Sequence, residues 1–230
     1  MARAWTSLVC PSVTGEHNVQ DARLVICLHG MGQSALEMAA WLQKDVVPLL
    51  DLSSPVVFAF LSAPLEDPEE GSSWLLYTMQ ADGEVEDDVC EQSLASTLRQ
   101  VLDDIEKLCQ HFQVAGCALL GYSQGGNIAL ACRALQDMCE LEEDKANVSR
   151  IDVVLTLASH RLSVTPCDDD LTISCPWLAL TARQDEVFPS SWAHATLGDA
   201  EHWKEVDDDH YLNESGPAIA ELVNLMLRQY

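Results

Sequence analysis

The pentapeptide Gly121-Tyr122-Ser123-Gln124-Gly125 places one hydroxyl between two glycines. The apolar run Ala118-Leu119-Leu120 precedes it, and a helical pattern opens at Gln124. Strand, sharp turn and helix form the setting of a nucleophile elbow, in which the turn strains the serine backbone and small neighbours relieve the crowding. A serine there stands at a helix N-terminus, where the dipole favours developing negative charge. A glycine-rich loop with serine as a helix cap is the competing reading.

A hydroxyl is a poor nucleophile until a base removes its proton. In elbow-bearing folds the partners follow in the order Ser, Asp or Glu, His. Asp185 comes after the apolar run Trp177–Thr181, and His210 after Trp203–Val206. Both positions fall at the carboxyl ends of expected strands. Glu186 is the rival for the acid; Asp207, Asp208 and Asp209 stand too close to His210 in sequence to be favoured. His202 precedes its strand and is expected at the opposite end of the sheet, and His194 on a helix.

The segment His29-Gly30-Met31-Gly32-Gln33 ends the first strong apolar run. A glycine-flanked turn there can aim the Met31 amide at a carbonyl oxygen under attack. The amide of Gln124, directly after the serine, would complete an oxyanion hole. His29 is expected to brace this loop rather than act as a base.

These groups need a scaffold that brings them to one edge. Apolar runs at Leu24–Leu28, Val56–Leu61, Ala118–Leu120, Ile151–Leu157, Trp177–Thr181 and Trp203–Val206 alternate with helical patterns. The helices are expected at about 34–50, 88–111, 124–135 and 215–230, with apolar residues recurring at helical spacing. Near-continuous apolar strands separated by helices specify a mostly parallel central sheet covered by helices on both faces. Reactive groups on such sheets collect in loops at the carboxyl ends of the strands. One α/β domain over 1–230 is expected, with 1–21 as an N-terminal extension or edge strand. The acidic clusters at 66–70, 84–88, 140–144, 168–170 and 207–209 are expected in solvated loops between elements.

The chain has 230 residues, of which 48% are hydrophobic and 21% charged, the balance of a globular protein. Its formal charge of −25 repels phosphate backbones and anionic membranes, so nucleic acid is not an expected partner. No apolar run approaches the roughly 20 residues that span a bilayer. The first ten residues are too short and polar for a secretory signal. The 9 cysteines are odd in number and several lie in apolar runs, which points to reduced core thiols and a cytoplasmic location. No cluster has metal-ligand spacing, so neither a metal nor an organic cofactor is expected.

Leu28-His-Gly-Met-Gly32, Ser62-Ala-Pro64, Ser73-Trp74, Gly121-Tyr-Ser-Gln-Gly-Gly126, Asp185-Glu-Val-Phe-Pro189 and Asp209-His210 occur in an order that resembles the phospholipase/carboxylesterase family. That family includes acyl-protein thioesterases and small bacterial carboxylesterases, and the resemblance spans about residues 22–229. It implies an α/β-hydrolase fold, with Ser123, Asp185 and His210 as a catalytic triad. Met31 and Gln124 carry over as oxyanion donors, and Trp74 as a wall of the substrate groove, with a core aromatic as its alternative. The chain departs from the family at Gln33-Ser34, at Thr181-Ala182 and at Ser159-His160-Arg161. These changes flank the acyl-binding side, which makes His160 a candidate substrate contact and bears on the substrate more than on the reaction.

The expected activity is cleavage of a carboxylic ester or thioester, in a small molecule or an acylated protein, through an acyl-enzyme on Ser123. Acyl transfer to another acceptor, a small-metabolite esterase, and a non-catalytic binding protein on the same scaffold are the alternatives.

Overall fold

The computed structural model describes residues 5–10, 22–67, 71–79, 85–89, 91–141, 149–159, 174–189 and 200–229. Its centre is a seven-stranded sheet of β1 (Trp5–Cys10), β2 (Arg23–Leu28), β3 (Val56–Leu61), β8 (Gly116–Tyr122), β9 (Arg150–Leu157), β10 (Trp177–Ala182) and β11 (His202–Val206). The spatial order is β1-β3-β2-β8-β9-β10-β11. Every neighbouring pair is parallel except β1 with β3. The N-terminal segment thus supplies an antiparallel edge strand. Two short antiparallel pairs stand apart from the sheet: β4 (Leu65–Asp67) with β5 (Gly71–Ser73), and β6 (Tyr77–Met79) with β7 (Val85–Val89).

Successive strand residues point to opposite faces, and each face meets its own helices. Leu24, Ile26 and Leu28 of β2 pack in one core layer with α2 (Glu91–Phe112) and α3 (Gln124–Leu141). Val25 and Cys27 pack in the other with α1 (Ala35–Asp45) and α4 (Gly216–Gln229). The near-continuous apolar strands are explained by this double covering. Ser34 caps α1 reciprocally, its hydroxyl accepting from the Glu37 amide while the Glu37 carboxylate accepts from the Ser34 amide. On α3 the buried Arg133 donates to the Ile151 carbonyl and to Ser174 Oγ and pairs with Asp137, which ties the helix to the edge of the sheet. Breaking such a buried pair costs about 3–5 kcal/mol because one charge is left uncompensated.

Three expectations need correction. The helix expected from 88 begins at Glu91, and Asp88 belongs to β7, so the 84–88 acidic cluster lies largely on a paired strand. Strand β8 extends beyond the 118–120 run to Gly116 and Tyr122, because β9 pairs with it over that whole length while β2 pairs only over 118–121, a pairing that apolar content alone does not mark. Helix α3 runs to Leu141 rather than ending near 135. Cys109, Cys117 and Cys132 are free thiols in the core, where Cys27 is also buried, and Cys175 is free and half-buried. Burial raises the Cys175 thiol to about 12, and so keeps it protonated. Among the described residues no helix is long and apolar enough to cross a membrane.

Candidate active site

Met31 follows β2, Ser123 follows β8, Ser159 follows β9, Asp185 follows β10 and His210 follows β11. Parallel pairing therefore delivers all of these loops to one edge of the sheet. His202, the first residue of β11, lies at the opposite end as expected.

Ser123 has φ of 51°, the left-handed region that costs a non-glycine residue energy. Its amide donates to the Leu157 carbonyl at 2.8 Å, and its carbonyl accepts from Gly126 at 2.9 Å. The turn closes only because two neighbours lack side chains. A Cβ on Gly121 would lie 2.4 Å from the Gly125 carbonyl oxygen, and one on Gly125 would lie 2.2 Å from that of Leu28.

The Ser123 hydroxyl lies 2.9 Å from His210 Nε2, and His210 Nδ1 lies 2.8 Å from Asp185 Oδ2. A carboxylate accepts only, so this geometry suits Nδ1 as the donor and turns the Nε2 lone pair toward the hydroxyl. Asp185 Oδ1 accepts from the amides of Val187 and Phe188 at 2.9 and 2.7 Å, which fixes the carboxylate. Ser123, Asp185 and His210 are buried, at 6%, 5% and 9% exposure. Of the rival acids, Glu186, Asp207 and Asp209 are exposed and Asp208 is half-buried.

Among the described residues neither the Met31 amide nor that of Gln124 donates to a protein acceptor. The two residues touch, with Gln124 Nε2 3.6 Å from Met31 Sδ. His29 is fully buried: the Ala63 amide donates to Nε2 at 3.1 Å, so the neutral ring carries its proton on Nδ1, which donates to the Gly30 carbonyl at 2.7 Å. It braces the loop, with no lone pair left for a base.

Trp74, expected as a groove wall, is a core residue at 0% exposure and offers no open surface to a ligand. Its indole N–H donates to the His29 carbonyl at 2.7 Å, and packing against the His29 ring completes its enclosure. His160 lies outside the described residues. Among those described, no group of three or more His, Cys, Asp or Glu residues is placed to hold a metal ion.

Sequence reasoning missed two supports. The Tyr122 hydroxyl donates to the His210 carbonyl at 2.9 Å. Burial, with Asp185 and other nearby acids adding to it, pushes this phenol well above its ordinary value, so it stays a donor. The Gln124 side chain is the second: Oε1 accepts from the Trp74 amide at 2.7 Å, the Ser73 hydroxyl at 3.1 Å and the Leu75 amide at 3.3 Å. An elbow requires only the main chain at that position, so no local signal marked the side chain.

A model of the family described as palmitoyl protein thioesterase matches residues 24–219. A search of curated proteins found no match. Among solved structures, esterase PE8 is 16% identical with a TM-score of 0.69, the match covering 98% of this chain and 98% of that one. Acyl-protein thioesterase 2 of Zea mays is 14% identical with a TM-score of 0.67, covering 96% and 98%. The enol-lactonase from Burkholderia xenovorans LB400 is 13% identical with a TM-score of 0.59, covering 97% and 96%. At such identities these likenesses speak for the fold, which is that of the α/β hydrolases. From the family match over most of its length, with that fold, it follows that the chain belongs to the palmitoyl protein thioesterase family of ester-cleaving α/β hydrolases.

Proposed function

We propose that the protein is a serine hydrolase that cleaves carboxylic esters or thioesters through an acyl-enzyme on Ser123. The observation that carries this reading is the continuous hydrogen-bond line from Ser123 through His210 to Asp185. His210 takes the hydroxyl proton as Oγ bonds to the acyl carbon, and Asp185 stabilises the imidazolium. The amides of Met31 and Gln124 hold the oxyanion. Collapse of the tetrahedral adduct breaks the bond to the leaving alcohol or thiol, which departs with the proton from His210. Water, deprotonated by the same imidazole, then releases the acid and restores Ser123.

The family description and the acyl-protein thioesterase neighbour support a fatty acyl thioester as the substrate. Exposed apolar side chains lie on three of these loops, with Met31 after β2, Val187 near Asp185 and Tyr211 beside His210. The charge of −25 favours a neutral or cationic carrier of the acyl group over an anionic one.

A fluorophosphonate probe tests the reading directly. The natural protein is expected to label and Ser123→Ala to remain unlabelled. A folded natural protein that takes up no probe would remove the acyl-enzyme, and labelling that persists in the variant would mean another serine reacts.

A further inference from the structure

Around Met31 the neighbouring peptide groups are engaged while, among the described residues, its own amide has no protein acceptor. The Gly30 carbonyl accepts from His29 Nδ1 at 2.7 Å and from the Gln33 amide at 3.3 Å. The Gly30 amide donates to Gln33 Oε1 at 3.1 Å, and the Gly32 amide donates to the Ser72 carbonyl of β5 at 2.9 Å. Gly30 and Gly32, the latter at φ of 75°, would otherwise let this peptide swing.

Trp74 occupies the joint between this loop and the elbow. Its two N–H groups point at different partners: the main-chain amide at the Gln124 side chain, the indole N–H at the His29 carbonyl. A residue serving only to fill the core has no need of both. Ser73, Trp74 and Leu75 all bond to Gln124 Oε1, so the segment that holds His29 is itself held by the residue after the nucleophile. One side chain thus fixes the separation of the two main-chain donors.

Resting on the acyl-enzyme reading above, we propose that Trp74, through its indole N–H, and Gln33, through its side-chain carbonyl, are positioning residues that aim the Met31 amide at the oxyanion. Neither touches the substrate. Their effect is geometric, and misplacement of a reacting group by about 1 Å costs on the order of 100-fold in rate.

The test compares a 4-nitrophenyl ester with its thionoester analogue, whose C=S is a larger and weaker hydrogen-bond acceptor and draws less from the hole. In Trp74→Phe, which keeps an aromatic ring but loses the five-membered ring with its donor, ester kcat is expected to fall about 10- to 100-fold with KM within about 3-fold. Thionoester kcat should fall less, so the ester-to-thionoester ratio drops. Gln33→Ala, on a partly exposed loop where folding is not at risk, is expected to lower the ratio in the same direction. An unchanged ratio in both variants overturns the proposal, even if both rates fall together, because loss of folded enzyme scales the two substrates equally. Should the unaltered protein neither turn over the ester nor label at Ser123, the acyl-enzyme reading itself fails and takes this inference with it.

Discussion

The hydroxyl of Tyr122 donates to the main-chain carbonyl of His210 at 2.9 Å, joining residues 88 positions apart. The residue before the serine thus holds the histidine that faces the serine. The Tyr122 ring also lies beside the His210 ring, tilted by 38° with centroids 5.6 Å apart. Removing the hydroxyl leaves a buried carbonyl unsatisfied while the ring remains. Tyr122→Phe should therefore cost about 1–2 kcal/mol of stability, read as a shift in the urea midpoint. It should also lower kcat with little change in KM, because the base loses its anchor rather than the substrate its contacts.

Asp185→Asn keeps the shape of the acid and changes the tautomer it selects. An amide NH2 facing Nδ1 would place the ring proton on Nε2, where it points at the serine instead of accepting from it. A loss of about 10⁴-fold in kcat is expected, by analogy with other triads. Steady-state turnover of an activated ester measures it, and a loss below tenfold would mean that the acid does not select the tautomer.

Asp208 secures the loop that carries His210. Burial pushes its carboxyl up, but the Ser215 hydroxyl and the amides of Glu214 and Asp209 outweigh this and leave it below the ordinary Asp value. A folded value below the unfolded one stabilises the protein above the unfolded carboxylate range, and that stability is lost as pH falls through the folded value. Melting temperature measured from pH 7 down to pH 3 should fall less steeply for Asp208→Asn than for the natural protein. At pH 7 the variant should be less stable by about 1–3 kcal/mol. Parallel curves would show that Asp208 contributes nothing to acid sensitivity.

Ser159 works in the opposite direction. Its hydroxyl is buried with no hydrogen-bond partner among the described residues, pressed against Gly126 behind the elbow. An unsatisfied buried hydroxyl costs about 1 kcal/mol or more, so Ser159→Ala should stabilise the fold. For a chain of this size the rise is about 2–4 °C, measurable by calorimetry. A lower melting temperature would reveal a partner for this hydroxyl.

Much of this architecture was written in local pattern. The apolar runs of β2, β3, β9 and β10 predict their strands within a residue, because strands buried on both faces have little polar content to blur them. β1 was foreseen only as a possible edge, since an antiparallel edge strand takes its partner from the far side of the first crossover. The hairpins of β4 to β7 left no apolar signature, and β7 has Glu86, Asp87 and Asp88 between two valines. Ser123, Asp185 and His210 were legible from their types and their places after strands. Among the acids near that site, only closure of β10 beside β11 singles out Asp185, with its carboxylate on His210 and Glu186 left in solvent.

The order of the central strands and their helices, the elbow, and Ser123 and His210 as candidates were legible in the sequence, since each depends on a few adjacent residues: apolar runs, glycines that admit a sharp turn, polar residues at strand ends. The tertiary structure alone decided that Trp74 lies buried against the loop of residues 29–33, that the Gln124 side chain grips residues 73–75, and that Tyr122 reaches His210. These bonds join residues 45 to 88 positions apart. Hydrogen bonds of that reach depend on where folding places donor and acceptor, and neither residue carries that in its own neighbourhood.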